Sequence, residues 1–565
     1  MTPVSAPEEL VVPRAWARPD VLAASVCMNL LALALPIAIL QVYDRILPNA
    51  AYETLAVFVS ALIVVALIDG AIGYARNFIL ARCGARFEYR TDMAAIRAAL
   101  RADLACFESV PHGAQLERFQ SIQALREFYH GPAMMLVVEL PFVVLFLALI
   151  WRFSGTMVLI PLAMIGVFLA ISMFFGNQLR AAIETKGDHH ERRQNFIIEC
   201  LRGMHTVKAL AMEQQMLRRY ERLQGNSADS VCELARINSI VNGLATTFSQ
   251  AIMVCFVSIG SINVVNGTLS VGALAAGTML AGRVLQPTLR ALSFWTFRQS
   301  IADKEAKVRA LLALPREHAG AATMSGTLAG HITLREVSFR YGEDMPWILQ
   351  GVDLDIQPGE SVSLEGANGA GKSTLINLIM GFVTPQQGEI LIDGADIGTY
   401  EPNALREQIA LIPQDGVLFH GSLLENMTLF REGEYVSDAV ALARKLGLDD
   451  TILKLPEGLD TLATGDLSQA IPNGFAQRLV MVRALAGRPR VIIFDDANPG
   501  FDDRNDRYLQ DLLGELKRDH TLIVVSHRPS LQRICERHYR LADGRLSTTD
   551  AVPARPIASA RECAA

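Results

Sequence analysis

A glycine-rich segment that ends in a lysine and two hydroxyl residues carries the clearest chemistry in the sequence. It follows an apolar run at 361–364, precedes another at 375–380, and consists of Gly366, Ala367, Asn368, Gly369, Ala370, Gly371, Lys372, Ser373 and Thr374. This is the strand, loop and helix context in which a GxxxxGK[ST] motif binds a nucleotide. Backbone N–H groups of the loop and the positive end of the helix attract phosphate oxygens. We expect Lys372 to reach the β- and γ-phosphates and Ser373 to bind Mg²⁺.

Two later apolar runs end in residues that complete such a site. Residues 491–494 lead into Asp495 and Asp496, and residues 522–525 lead into Ser526 and His527. Doubly wound sheets bind their ligands at the carboxyl ends of the strands. We therefore predict that Asp495 orients Mg²⁺. A histidine at a strand end is usually structural, but the shared sheet edge favours a contact between His527 and the γ-phosphate.

These residues need a framework, and the composition points to one in a membrane. The chain has 565 residues, of which 51% are hydrophobic and only 19% are charged, a balance typical of membrane proteins. Its first half contains apolar runs of about 20 residues, long enough to cross a hydrocarbon core of about 30 Å, at 21–40, 55–75, 131–150, 155–175, 240–264 and 269–291. The predicted fold is an all-α transmembrane bundle of six helices followed by an α/β P-loop nucleotide-binding domain.

The same patterns predict the domain bounds and the orientation. We expect a cytoplasmic N-terminal segment (1–20), a six-span domain (21–312), a Gly/Ala-rich linker (313–330), a nucleotide-binding domain (331–548) and a polar tail (549–565). The loops at 76–130 and 176–239 are rich in Arg and Lys, which places them, and both termini, in the cytoplasm. Apolar residues at helical spacing predict that both loops are helices extending the spans.

Other features narrow the function. The net charge of −6 gives no reason to expect a nucleic-acid partner, and the eight cysteines form no CxxC pair, so neither zinc nor a disulfide framework is indicated. Asp69 and Glu139 fall inside apolar runs. Intramembrane carboxylates can mark a polar path for a substrate, although pairing within the bundle or a place near a span end is the alternative.

The motifs, in this order after six spans, resemble the ATP-binding cassette family over nearly the whole chain. In that family Tyr341 would stack on adenine, and Gln414 would touch Mg²⁺ and couple to the membrane domain. The resemblance makes Asp502 the D-loop aspartate and His527 the switch histidine. It implies an ATP-hydrolysing translocase that acts as a dimer, because each ATP lies between one subunit's phosphate loop and the other's signature.

Three membrane-domain stretches, at 41–55, 206–213 and 272–289, resemble bacterial type I protein secretion exporters more closely. That resemblance implies ATP-driven export of an unfolded polypeptide across the inner membrane, with a periplasmic adaptor and an outer-membrane duct as partners. About 20 residues precede the first span, so we expect no N-terminal peptidase-like domain. Export of a lipid, peptide or drug is the alternative. A different class of function is a non-hydrolysing, ATP-binding regulatory or structural half of a membrane complex.

The sequence departs from the family at two catalytic positions. The LSGGQ signature position reads Ile-Pro-Asn-Gly-Phe at 471–475, so that Pro472, Asn473, Gly474 and Phe475 form a degenerate signature. The catalytic glutamate is replaced by Asp496, which is one methylene shorter and remains the predicted base, with Gln414 and His527 as the other catalytic residues. We therefore predict weak turnover by this chain alone and a heterodimer with a more complete partner half, a homodimer being the alternative.

Overall fold

The computed structural model of the protein describes residue 10 and residues 17–317, 326–431, 433–463 and 473–549. These residues form two compact units. The first contains the described residues up to Ala102 together with Cys106–Pro315, and the second contains Asp103–Ala105 and the described residues from Arg316 onward.

The first unit is helical, as predicted. Its helices are α1 (Pro19–Leu31), α2 (Ala34–Gln41), α3 (Tyr52–Leu100), α4 (Leu104–Glu108), α5 (His112–Tyr129), α6 (Pro132–Ser154), α7 (Leu159–Arg202), α8 (Met204–Ala209), α9 (Glu213–Val265) and α10 (Val271–Leu312). The first two residues of α4 belong to the segment Asp103–Ala105, which is assigned to the second unit. Each of the six predicted apolar runs lies mainly in these helices. Asp69 lies in α3 and Glu139 in α6.

Within the described residues, four helical segments are long and apolar enough to cross a membrane: Pro19–Ile46, Tyr52–Leu100, Gly113–Phe168 and Glu213–Val265. The third of these segments holds the run at 131–150 and most of the run at 155–175. A shorter apolar segment, Val271–Val284, covers much of the sixth run. The chain is therefore an integral membrane protein.

Three helices are much longer than a membrane is thick. Helices α3, α7 and α9 contain 49, 44 and 53 residues, which corresponds to about 66 to 80 Å at 1.5 Å per residue. The hydrocarbon core takes up only about 30 Å. The interpretation of the long polar loops as helical continuations of the spans is thus confirmed.

The first apolar run is not one continuous helix. Helix α1 ends at Leu31 and α2 begins at Ala34, with Pro36 shortly after the break. A proline ring inside a helix collides with the carbonyl four residues earlier, here that of Ala32. Five residues of π-helix, Val42–Ile46, then continue α2.

That π-helical turn is joined to the start of α10 through Asp44. Its Oδ2 accepts a hydrogen bond from Ser270 Oγ at 2.6 Å, and its Oδ1 accepts one from the backbone N–H of Gly272 at 2.8 Å. A Cβ atom at Gly272 would lie 2.6 Å from Asp44 Oδ1. The bond therefore satisfies an otherwise unpaired N–H of the first turn of α10 and requires a residue without a side chain.

The second unit contains two sheets. The smaller one is antiparallel, in the order β2–β1–β4–β5, and the larger has the order β10–β9–β3–β8–β7–β6, with β10 antiparallel to an otherwise parallel set. The strands are β1 (Ile332–Phe339), β2 (Leu349–Ile356), β3 (Ser361–Glu365), β4 (Gln387–Ile392), β5 (Ala395–Asp396), β6 (Ile409–Ile412), β7 (Val491–Asp495), β8 (Thr521–Val525), β9 (Arg537–Ala542) and β10 (Arg545–Thr549).

Helices cover these sheets and complete the predicted α/β domain. They are α11 (Lys372–Ile379), α12 (Pro402–Arg406), α13 (Leu423–Thr428), α14 (Glu434–Lys445), α15 (Asp449–Ile452), α16 (Asn473–Leu485), α17 (Asp503–Leu516) and α18 (Pro529–Gln532). In one hydrophobic cluster, α11 packs against the antiparallel sheet. In a second cluster, the helices from α13 through α17 pack against the large sheet. Strands β3, β7 and β8 are almost fully buried, as their continuous apolar sequences predict.

Candidate nucleotide site

Three adjacent strands bring the predicted site residues together. Strand β8 lies between β3 and β7, with Leu364 and Asp495 both paired to Val525. Because the three strands are parallel, their carboxyl ends meet at one edge of the sheet. The glycine-rich loop leaves β3 at that edge, Asp495 ends β7 there, and His527 follows β8.

The glycine-rich loop has the backbone that phosphate binding requires. Gly371, just before α11, has φ +103°, a left-handed value that favours glycine, and a Cβ there would lie 2.9 Å from Ile348 Cγ2. The Lys372 ammonium donates hydrogen bonds to the carbonyls of Gly366 (2.8 Å) and Ala367 (3.0 Å). The lysine therefore folds back over the loop, with its charge beside the loop backbone.

A cavity of 650 Å³ lies along this edge of the sheet. Its walls are formed by Ile348, Asn368, Gly369, Gly371, Lys372, Ser373, Thr374, Gln414, Asp495, Asp496, Asn498, Pro499, His527 and Arg528. Gly366, Ala367 and Ala370 line an adjoining cavity, which shares Asn368, Gly369 and His527 with the first. The structure thus gathers most of the predicted phosphate-binding residues, and all of the predicted metal and catalytic residues, around one space.

The oxygen atoms that suit a metal lie close together in this cavity. Ser373 Oγ donates to Asp495 Oδ2 at 3.5 Å, and Gln414 is exposed on the same wall. Burial, and then the neighbouring Asp496 carboxylate, raise the pKa of Asp495, while Lys372 and Ser373 act in the opposite direction. Hydroxyl, amide and carboxylate oxygens are the ligands of a hard cation, and a cation would offset the cost of ionising this partly buried carboxylate.

Asp496 and His527 face each other across the site. Asp496 has φ +44°, and its N–H donates to Val525 O at 2.8 Å. Its Oδ1 accepts a long hydrogen bond of 3.3 Å from the His527 N–H, and its Oδ2 lies 3.7 Å from His527 Nε2. The imidazole remains 54% exposed, so it is accessible to a ligand, whereas the shorter carboxylate is held beside the histidine.

Tyr341 provides an exposed aromatic ring beside the phosphate loop. The ring is half exposed, packs edge-to-face on Phe339 with 5.0 Å between centroids, and has its hydroxyl 3.4 Å from Thr374 Oγ1. An exposed ring fixed in this way can stack on a planar base.

The D-loop, defined here as residues 498–502, forms another wall of the cavity. Asp502 accepts a hydrogen bond from the Asn505 N–H at 2.8 Å, so its carboxylate caps α17. Asn498, Pro499 and Arg528 line the cavity, although the sequence reasoning did not include them in the site. The position of Arg528 next to His527 was the available signal.

The degenerate signature is only partly described. Pro472 lies outside the described residues, and so does the side chain of Asn473, whose backbone begins α16. Phe475, at the last signature position, is only 2% exposed and belongs to the cluster that also contains Leu479 and Phe501. A Cβ at Gly474 would lie 3.6 Å from the Phe501 ring. The last signature position therefore contributes to the hydrophobic core rather than to a polar surface.

A phosphate loop, an adjacent acidic strand end and a strand-end histidine, joined in one chain to long apolar helices, define a membrane-bound P-loop ATPase. Family models support this class and refine it. Residues 21–288 match the family model described as ABC transporter transmembrane region, and residues 349–498 match the one described as ABC transporter.

Known bacterial proteins are similar to this chain over most of its length. The cyclolysin secretion/processing ATP-binding protein CyaB of Bordetella pertussis is 31% identical over 518 residues, which are 92% of this chain and 73% of that protein. The leukotoxin export ATP-binding protein LtxB of Aggregatibacter actinomycetemcomitans is 29% identical over the same shares. The alpha-hemolysin translocation ATP-binding protein HlyB of Escherichia coli is 29% identical over 93% of this chain and 74% of its own length.

A solved structure shows the same fold. A bacterial Atm1-family ABC exporter with ATP bound superposes with a TM-score of 0.81 over 95% of each chain, at 21% identity. The chain therefore belongs to the ABC transporter family, as an exporter subunit that joins a transmembrane region to an ATP-hydrolysing domain.

Proposed function

We propose that the described cavity binds ATP together with Mg²⁺ and that its residues have the roles predicted from the sequence. Tyr341 would stack on adenine, Lys372 would bind the β- and γ-phosphates, and the 366–374 loop would hold the phosphate chain. Ser373, Asp495 and Gln414 would hold Mg²⁺, which neutralises phosphate charge when bound. The observation that carries this proposal is the convergence of Lys372, the predicted metal-binding residues and His527 around one cavity at the edge of a parallel sheet. The Tyr341 ring lies beside the same loop, next to Thr374.

In this proposal Asp496 orients the attacking water and His527 contacts the γ-phosphate. The Asp496 carboxylate already lies 3.3 Å from the backbone N of His527 and 3.7 Å from its Nε2. A general base must come within about 2.6–3.2 Å of the water oxygen whose proton it accepts. With the shorter Asp496 side chain as the base, the site would therefore hydrolyse ATP slowly rather than not at all.

The proposed cargo is a polypeptide. The relatives described above are named for the export, translocation or secretion of leukotoxin, hemolysin and cyclolysin, and the similarity extends through the membrane unit. On this basis the chain would reside in a bacterial inner membrane with both termini in the cytoplasm. It would act with a periplasmic adaptor and an outer-membrane duct.

The proposed assembly is a dimer with a different, more complete exporter half. Two observations support a partner that is not a second copy. Phe475 is buried where a signature needs a polar residue, and Asp496 replaces the longer catalytic carboxylate. In a homodimer both ATP sites would carry both changes, whereas in a heterodimer each site would carry one.

The second candidate function is a non-hydrolysing ATP-binding half with a regulatory or structural role. The observation that favours it is the contact of Asp496 with His527, which occupies the carboxylate that would otherwise orient water. In that case the chain would bind ATP, and removal of the Asp496 charge would leave the activity of the assembled exporter unchanged.

The cargo proposal is tested by comparing secreted proteins. A strain lacking this chain should lose one or a few extracellular polypeptides, and the wild-type gene should restore them. Lys372→Ala should fail to restore them because the ammonium no longer binds phosphate, while Lys454→Ala, on the surface of the same domain, should restore them. An unchanged set of secreted proteins together with an altered lipid or drug phenotype would contradict polypeptide export.

The partner proposal is tested on tagged full-length chain purified in detergent. Native mass spectrometry should detect a second, non-identical exporter half in a one-to-one complex, and the Lys372→Ala variant should still pair with it. A pure homodimer that hydrolyses ATP rapidly would contradict the heterodimer.

A further inference from the structure

A largely buried carboxylate next to residues that line the ATP cavity joins the segments that form two of the cavity walls. Asp506 lies in the first turn of α17, and its side chain is only 13% exposed. Its Oδ1 accepts hydrogen bonds from Arg528 Nη1 at 2.9 Å and Asn498 Nδ2 at 3.1 Å. Its Oδ2 accepts from Gln510 Nε2 at 2.9 Å and Ser530 Oγ at 3.1 Å. All four bonds end on one side chain.

The donors come from three different segments. Asn498 belongs to the D-loop, Arg528 and Ser530 follow strand β8, and Gln510 is one turn further along α17. Arg528 also donates through Nη2 to the carbonyl of Asn498 at 3.2 Å. The bonds therefore close a ring in which Asp506 and Arg528 together hold the D-loop against the segment that carries His527.

This ring lies next to the reacting groups. Asn498, His527 and Arg528 all line the ATP cavity, and Arg528 directly follows the histidine that contacts Asp496. Asp506 itself does not line the cavity. Hydrogen bonds between charged partners are among the stronger ones in proteins, and removal of one partner leaves a buried group unsatisfied. Loss of the Asp506 charge would thus release Arg528 and Asn498 together.

We propose that Asp506 is a positioning residue for ATP hydrolysis, which sets the places of His527 and the D-loop through Arg528 and Asn498. The proposal rests on the role proposed above for His527. A displacement of about 1 Å at a catalytic group can reduce the rate on the order of 100-fold. The binding of ATP depends on Tyr341 and the phosphate loop, which Asp506 does not touch, so binding and turnover should separate.

The test compares Asp506→Asn with Asp503→Asn in the full-length chain within its assembled exporter. Both positions lie in the first turn of α17, but Asp503 is exposed. We expect Asp506→Asn to lower kcat about tenfold or more and to change the Kd for ATP by less than about twofold. Asp503→Asn should change neither. An unchanged kcat for Asp506→Asn, or a parallel loss of kcat and ATP affinity, would overturn the proposal.

A double-mutant cycle separates positioning from general loss of stability. If Asp506 acts through Arg528, adding Asp506→Asn to Arg528→Gln should lower kcat no further, and independent, multiplying losses would overturn the proposal. Ser530→Ala serves if Asp506→Asn does not fold, because it removes one bond and should lower kcat about threefold at unchanged Kd. A silent Ser530→Ala would then count against the proposal.

His527→Ala separates the role proposed for His527 from the positioning role proposed for Asp506. If that variant retains full kcat, the role proposed for His527 is wrong and the inference about Asp506 falls with it. If His527→Ala abolishes turnover while Asp506→Asn is silent, the site is as proposed and only the positioning role is wrong.

Discussion

The length and charge of the Asp496 side chain should determine how fast this chain's own phosphate-loop site hydrolyses ATP. The carboxylate lies 3.3 Å from the His527 N–H and 3.7 Å from Nε2, already at or beyond normal hydrogen-bond range. Asp496→Glu adds one carbon–carbon bond, about 1.5 Å. Since a displacement of about 1 Å at a catalytic group can lower the rate on the order of 100-fold, we expect Asp496→Glu to raise kcat about 10- to 100-fold. That gain corresponds to about 1.4 to 2.7 kcal/mol of barrier.

The opposite change removes the base. Asp496→Asn should lower kcat by about 100-fold or more, because general-base catalysis contributes about 10² to 10⁴. The residue has φ +44°, a left-handed conformation that aspartate and asparagine tolerate better than glutamate. Asp496→Glu should therefore also lose about 1 kcal/mol of stability, which a thermal melt of the apo protein would show.

The assay is steady-state phosphate release at saturating MgATP from the assembled exporter in liposomes. Asp503→Glu and Asp503→Asn make the same chemical changes at an exposed site in α17 and should leave the rate unaltered. If neither Asp496 variant alters the rate, the carboxylate is not the base. The non-hydrolysing second candidate would then be the better description of the chain.

Three further predictions concern stability and metal binding. Burial and Asp496 raise the pKa of Asp495, so its ionised form is unfavourable in the apo protein above the ordinary aspartate pKa of about 3.9. Asp495→Asn should thus raise the Tm of the apo protein at pH 7, and the gain should shrink as the pH falls toward 4. The same variant should bind ATP more weakly when Mg²⁺ is present. A lowered Tm at pH 7 would contradict the predicted stabilisation. Phe475→Ala should lower the free energy of unfolding by about 3–5 kcal/mol because it empties a core position. Phe419→Ala, at an exposed position, should lower it by less than about 1 kcal/mol. Chemical denaturation of the full chain measures both values, and equal losses would mean that the burial of Phe475 does not stabilise the domain. Asp44→Ala and Ser270→Ala should each cost about 1 kcal/mol, because Asp44 accepts from the Gly272 N–H and the N-cap Ser270 accepts from the Ala273 N–H in the first turn of α10. An unchanged melting temperature in detergent for either variant would contradict its capping role.

Sequence reasoning succeeded where one local pattern dominated. The apolar runs that end at Asp495 and before His527 are short and continuous, a pattern typical of buried parallel strands, and the glycine-rich loop between β3 and α11 has a fixed spacing. These features placed the cavity without knowledge of the strand order. The strand order then brought the carboxyl ends of β3, β8 and β7 together.

Reasoning from sequence failed where the outcome depended on packing. Pro36 breaks the first apolar run, whereas Pro141 lies inside α6, and nothing in the local sequence distinguishes the two prolines. Phe475 was predicted only as part of a degenerate signature, and the local sequence does not indicate that its side chain is buried in the core. Asp506 looks like an ordinary polar residue on an amphipathic helix, because its donors Asn498 and Arg528 are 8 and 22 residues away.

The burial of Phe475 changes what repair of the signature would require. In a surface motif, Phe475→Gln would restore a polar contact at little cost. Here the same substitution would place an amide in a cluster with Leu479 and Phe501, and an unsatisfied buried amide costs about 1–3 kcal/mol in addition to the lost packing. Phe475→Gln alone should therefore destabilise the domain without restoring turnover.

This cost makes the degenerate signature difficult to reverse, because loss of the polar contact is coupled to a gain in core packing. Asp496 differs, since its side chain is 26% exposed and its replacement by glutamate faces only the cost of a left-handed backbone. In the proposed heterodimer the two changes also act on different ATP molecules: Asp496 on the one at this chain's phosphate loop, and Phe475 on the one at the partner's. Asp496→Glu should then accelerate one site and leave the other slow, so that single-turnover hydrolysis in the variant complex separates into a fast and a slow phase. A single uniform phase would mean that the two sites are not distinct and would favour a homodimer.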